Sequence, residues 1–198
     1  MTKLVEPPRP LAISCKATRC DKGVPKSQRR HAFSSPVSEL PGIAGSCISC
    51  GASLIDWERL YAHDPNDLEA LVRALRLELI RDNYWGLELP VHVLRKGKKR
   101  SSEQLQVSIQ RVLRGALKVD HILEGRQTPF AYNEASATII MCAQHGTGTC
   151  CRECLEKWYG YPRTSELATS DYGFLADVVW RYVDERLATA RGPEGVAE

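Results

Sequence analysis

The sequence predicts an α+β fold, mainly α, with a treble-clef-like zinc-binding core and a proline-rich N-terminal arm. Three observations lead there. Apolar residues recur at helical spacing in three long stretches. Two short runs, LPVHVL (89–94) and ATIIMCA (137–143), are rich in β-branched and apolar residues and read as strands. Two C-x-x-C pairs, Cys47/Cys50 and Cys151/Cys154, stand in a glycine-turned knuckle and at a helix start.

The elements follow in order. Residues 1–46 form the arm: six of the 11 prolines lie there, and no helical or strand period runs through it. Residues 47–190 are the zinc-binding helical domain, and 191–198 a disordered tail. Asp64 and Pro65 open a helix over 65–83, with Leu68, Leu71, Val72, Leu75 and Leu79 in one stripe. The 89–94 strand leads into a basic loop of Arg95, Lys96, Lys98, Lys99 and Arg100. Ser101 or Ser102 caps a second helix to about Leu117, with Leu105, Ile109, Val112 and Ala116 on one face. Residues 118–137 are turn-rich, and the 137–143 strand follows. CRECLEKW starts a short helix that ends before Pro162. The last helix, 171–189, is capped by Ser170 and Asp171. Leu175, Val178, Val179 and Tyr182 make its core face, while Trp180 and Leu187 project from the other side as a candidate partner surface.

Composition narrows the class. Hydrophobic residues make up 43% and charged residues 26% of 198, which excludes a globally disordered or low-complexity chain. No apolar run approaches the roughly 20 residues of a membrane span, and the N-terminus has no signal-like apolar region. A cytoplasmic protein without a membrane partner is expected. The net charge of +3 permits an anionic partner without demanding one. Eight cysteines in a reducing compartment read as metal ligands before disulfides.

Zinc prefers four tetrahedral ligands in structural sites, thiolates above all. Cys47, Cys50, Cys151 and Cys154 can close one such site. A second ion follows if Cys15 and Cys20 of the arm join His145 and Cys150, with His31 competing for the place of His145. Cys142, in an apolar run, reads as a core residue. Catalysis by Cys150 or Cys151 lacks an orienting third group, and no βαβ pattern supports redox chemistry at Cys151 and Cys154. The enzymatic alternative is an HNH-like metal-dependent endonuclease in which His121, beside Asp120 and with Asn133 downstream, activates water.

The run AQHGTGTCCRECLEKWYGYP (143–162) resembles a bacterial family of unknown function with an AQHATATCCRxCxxxWHGIP signature. GRQTP (125–129), CISCGASLIDWERLYAHD (47–64) and LELIRDNYW (77–85) are similar to further stretches of that family. The resemblance implies no established activity. It marks His145, Cys150, Cys151 and Cys154, with Arg126, Gln127 and Thr128, as positions shared with its motifs. The chain departs at Tyr159, where the signature has His, and at Gly146 and Gly148, where it has Ala. A phenol cannot act as a base near neutral pH, so the departure favours structure over catalysis.

The resulting expectation is a structural zinc-binding module, an accessory or assembly subunit that binds nucleic acid or a nucleoprotein complex. Arg95, Lys96, Lys98, Lys99 and Arg100 would contact phosphates, and Tyr84 and Trp85 would stack on bases. The nuclease is one alternative. A purely protein-binding subunit, docking through Trp180 and Leu187, is the other.

Overall fold

The computed structural model describes residues 53–119 and 136–190, together with Pro36 and residues 44–46. The described residues form α1 (Trp57–Tyr61), a 3-10 turn (Pro65–Asp67), α2 (Leu68–Leu75), α3 (Leu79–Gly86) and α4 (Val91–Lys98). Then come α5 (Ser102–Ala116), α6 (Ile139–Gly146), α7 (Arg152–Tyr159) and α8 (Thr169–Thr189).

The α+β expectation is corrected. The described residues contain helices and no strand; Ser46 and Ser53 form an isolated β-bridge. Both expected strands are helical. LPVHVL supplies the start of α4, with Pro90 as its N-cap, and the chain stays helical through Lys98. ATIIMCA supplies most of α6, where the Thr138 hydroxyl accepts from Met141 N at 3.1 Å. Short apolar runs have no diagnostic period, because a helix buried on most sides is apolar on most sides. That is the situation of α6, whose Ile139, Ile140, Cys142 and Ala143 are all buried. The treble-clef-like core is not seen among the described residues, and its knuckle at Cys47 and Cys50 lies outside them. The rest of the arm, the tail and residues 120–135 of the turn-rich 118–137 segment also lie outside.

The expected 65–83 helix is broken. Asp64 accepts from Asn66 N at 2.8 Å and opens a 3-10 turn, as an Asp-Pro start should. The chain then turns at Arg76–Glu78 before α3 begins. The turn brings Glu78 inward. Ser101 caps α5 through a reciprocal bond with Gln104, as expected. Leu105, Ile109, Leu113 and Leu117 of that segment are buried.

Helix α8 is the centre of the core. Leu175, Val178, Val179, Tyr182 and Val183 are fully buried along it. Helices α5 and α6 both pack on it, and α3 packs on α6. Close approach fixes two glycines. A Cβ at Gly97 would lie 3.0 Å from Leu187, and one at Gly146 would lie 2.9 Å from the Tyr182 ring. Arg186 donates to the carbonyls of Trp85 (2.9 Å) and Leu87, closing the open end of α3. Among the described residues no helix is long and apolar enough to cross a membrane.

Candidate metal centre

The start of α7 gathers three sulfurs. The Sγ atoms of Cys150, Cys151 and Cys154 all lie within 4.8 Å of one another, with Cys150 and Cys154 buried and Cys151 half-buried. A Zn–S bond of 2.3 Å puts neighbouring sulfurs of a tetrahedron about 3.8 Å apart, so small movements suffice to close the group on an ion. Local structure explains the gathering. Cys151 is the N-cap of α7, and its sulfur accepts from Cys154 N at 3.5 Å. An N-cap and the residue three positions later share one side of the first turn. The exposed amides there favour thiolate over thiol.

Electrostatics point the same way. Hydrogen bonds with the Cys151 and Cys154 sulfurs, then burial and the charge of those neighbours, push the Cys150 thiol well above its usual range. Three sulfurs so close cannot all ionise without a cation among them. Cys150 therefore stays a thiol, and Cys151 and Cys154 are left as the pair whose thiolates fit a thiophilic metal.

A buried ion pair supports the group from behind. Arg81 Nη2 donates to Cys154 Sγ at 3.1 Å, and Nη1 donates to the His145 carbonyl at 2.6 Å. Arg81 Nε donates to Glu78 at 3.0 Å, and Trp158 Nε1 donates to the same carboxylate oxygen at 2.9 Å. Arg81 and Glu78 are each 1% exposed. The sequence reading missed both. Their signal was charge on a core-facing stripe: Leu71 and Leu75 precede Glu78 at spacings of four and three.

Arg152 is the other overlooked residue. It is buried, and its guanidinium donates to the carbonyls of Arg163 (3.0 Å), Pro162 (2.9 Å) and Ser165. It thereby fixes the chain leaving α7. The far end of α7 is held by α1 and the residues after it. Tyr61 donates to the Lys157 carbonyl at 2.9 Å, and His63 Nε2 lies 2.6 Å from the Tyr159 carbonyl. Trp57 meets Trp158 at 5.4 Å between ring centroids.

The expected site residues are distributed as follows. Cys150 lies with Cys151 and Cys154. The His145 ring lies against Tyr84 at 5.2 Å. Burial first, then the Arg81 charge, lower its pKa to about 3. Cys15, Cys20, His31, Cys47, Cys50, Asp120, His121, Asn133 and the Arg126, Gln127, Thr128 motif lie outside the described residues. Cys142 is a buried core residue, its thiol pushed up to about 11 mainly by burial. Tyr84 and Trp85 are buried, so neither can stack on a base. Leu187 is buried against Gly97 and so does not face outward, while Trp180 is half-buried and packs in part on the core. Arg95, Lys96, Lys98, Lys99 and Arg100 are all exposed, on the last turn of α4 and the connection to α5.

The family whose model matches residues 69–184 is described as Domain of unknown function (DUF4186). The chain belongs to this family. The DUF4186 match begins in α2 and ends in α8, so it takes in the four described cysteines, the three clustered ones among them, with Glu78, Arg81 and the basic α4–α5 segment. It leaves Cys47 and Cys50 outside. No solved structure matches the chain. Within the DUF4186 region, Tyr159 is fully buried and donates to the Thr147 carbonyl at 2.5 Å. Burial pushes its phenol far above the usual range, which makes it a structural donor.

Proposed function

We propose that the chain is a structural zinc-binding module that binds nucleic acid. The observation that carries the metal half is the group of three sulfurs within 4.8 Å at the start of α7. Cys151 and Cys154 are ligands, and Cys47 and Cys50 complete the four; Cys150 stays as a hydrogen-bonded neighbour. The described flanks of residues 47–52 support this. Gly45 O accepts from Leu54 N at 2.8 Å and from Ile55 N at 3.0 Å, so both ends of that short segment are held together. Trp57, just beyond, contacts Trp158 on the cysteine-bearing helix. Such an ion would join α1 to α7 and tie chain separated by about a hundred residues. Zinc per purified chain tests the assignment. One equivalent is expected, retained in Cys150→Ala and lost in Cys47→Ala and Cys154→Ala.

The nucleic-acid half rests on exposed positive charge. Residues 91–118 hold eight Lys and Arg against Glu103 alone, a net of +7 in a chain whose total is +3, so the remainder carries −4. All eight cations are exposed. Charge separated in this way steers a polyanion to one face. Reversing Lys98 and Lys99 to Glu should weaken binding across all sequences and flatten its salt dependence. An unchanged salt slope removes α4 from the binding surface.

A further inference from the structure

We infer that the nucleic acid is duplex DNA and that α5 is the helix that enters its major groove; this rests on the nucleic-acid reading above. Helix α4, the connection Lys99–Ser101 and helix α5 form a helix-turn-helix segment, and both helices pack on α8. The second helix has 15 residues, about 22 Å at 1.5 Å per residue, long enough to lie across a groove about 12 Å wide.

The exposed face of α5 suits that place. Positive charge flanks it, with Arg95, Lys96 and Lys99 before its N-terminus, Arg111 in its C-terminal half and Lys118 just past its C-terminus. Among the described residues the side chains of these five make no ion pair or hydrogen bond. Other cations of the segment are engaged. Lys98 donates to the Ala190 carbonyl at 2.8 Å, Arg100 to Gln104 O at 2.8 Å and to Ser108, and Arg114 lies over the Tyr172 ring at 4.6 Å. Between the charged ends the exposed side chains of α5 are Ser102, Glu103, Gln104, Gln106, Val107 and Gln110, with Glu103 the single acid among them. Glutamine amides can pair with base edges, and an apolar side chain suits the thymine methyl. Val107 is 69% exposed, and an isolated surface valine amid polar residues fits a contact of that kind.

The same surface argues against the other nucleic acids. Single-strand binders stack bases on aromatic rings. Residues 91–118 contain no Phe, Tyr or Trp, and the neighbouring Tyr84 and Trp85 are buried. Double-stranded RNA has a deep, narrow major groove that side chains cannot read. Cations at both ends of a polar, non-aromatic helix therefore match the two phosphate strands that border a B-form groove.

The test is fluorescence anisotropy of the zinc-loaded full chain with three probes of one sequence: duplex DNA of about two helical turns, its single strand, and duplex RNA. The expected result is tightest binding to duplex DNA, with the other two about tenfold weaker or more. Lys99→Glu and Lys118→Glu, one just beyond each end of α5, should each lower duplex affinity about tenfold and reduce the salt slope by about 1 to 2. Their far-UV spectra should match the parent. Single-stranded DNA or duplex RNA binding as tightly as duplex DNA overturns the inference and leaves the nucleic-acid reading standing. Unchanged affinity in both variants overturns the placement of α5. No binding to any probe overturns both readings.

Discussion

A guanidinium with 1% of its surface exposed must have its charge balanced and its donors answered. Arg81 meets both conditions through Glu78, the His145 carbonyl and the Cys154 sulfur. Removing one partner leaves a buried charge alone, at a cost of about 3–5 kcal/mol. Arg81→Met should therefore lose stability of that order in urea unfolding. Arg81→Met with Glu78→Gln should lose clearly less than the single change. Equal losses would mean that the pair is not coupled. His145 gives a second prediction at this scale. Its folded pKa of about 3 lies below the unfolded value near 6.5. Between those values the unfolded chain binds a proton that the folded chain refuses, so stability falls as pH drops, by up to about 1.4 kcal/mol per pH unit. Stability measured against pH should be less steep over this window in His145→Gln than in the parent. Parallel profiles would show that the imidazole is not held neutral.

At the scale of elements, the contact between α6 and α8 explains why residue 146 is a glycine. Gly146 ends α6 where a Cβ would stand 2.9 Å from the rigid Tyr182 ring, whose hydroxyl donates to the Tyr84 carbonyl at 2.7 Å. Gly146→Ala should destabilise by about 1–3 kcal/mol, the cost of overpacking, despite the better helix propensity of alanine. Thermal unfolding measures it; a stabilised variant would show that the two helices can separate freely. Gly148 has φ of +71°, a backbone conformation that favours glycine. Elements with a distinct face or cap were legible in the sequence. Ser101 and the Leu105/Ile109 stripe located α5, and the Leu175/Val178/Val179/Tyr182 face located α8. Helices α4 and α6 were not, because a run such as VHVL or TIIM has β-branched residues and no helical period short of its full length. What decides them is tertiary: both lie against neighbouring helices with no strand to pair with among the described residues. The break between α2 and α3 was hidden for a related reason. The apolar stripe runs on through it, and only the inward turn of Glu78 marks it.

For the whole molecule, cysteine spacing revealed that α7 begins at a cluster of sulfurs, but not that Cys150 belongs to it. Adjacent residues in a sequence give no sign of whether their side chains meet. The arginine behind the cluster showed only as charge beside an apolar stripe, and two of its partners lie 64 and 73 residues away. If an ion joins the α1 flank to α7, chelation should lower the unfolding temperature and quench protection of both segments together in hydrogen exchange. Loss of protection confined to the first turn of α7 would argue for a local site that ties nothing. The central claim is that these sulfurs hold zinc, and elemental analysis of the purified full-length chain tests it most directly. One zinc per chain, falling close to zero in Cys154→Ala, is the predicted result. A folded, reduced, zinc-free chain that fails to take up added zinc, with Cys151 open to alkylation, would contradict it.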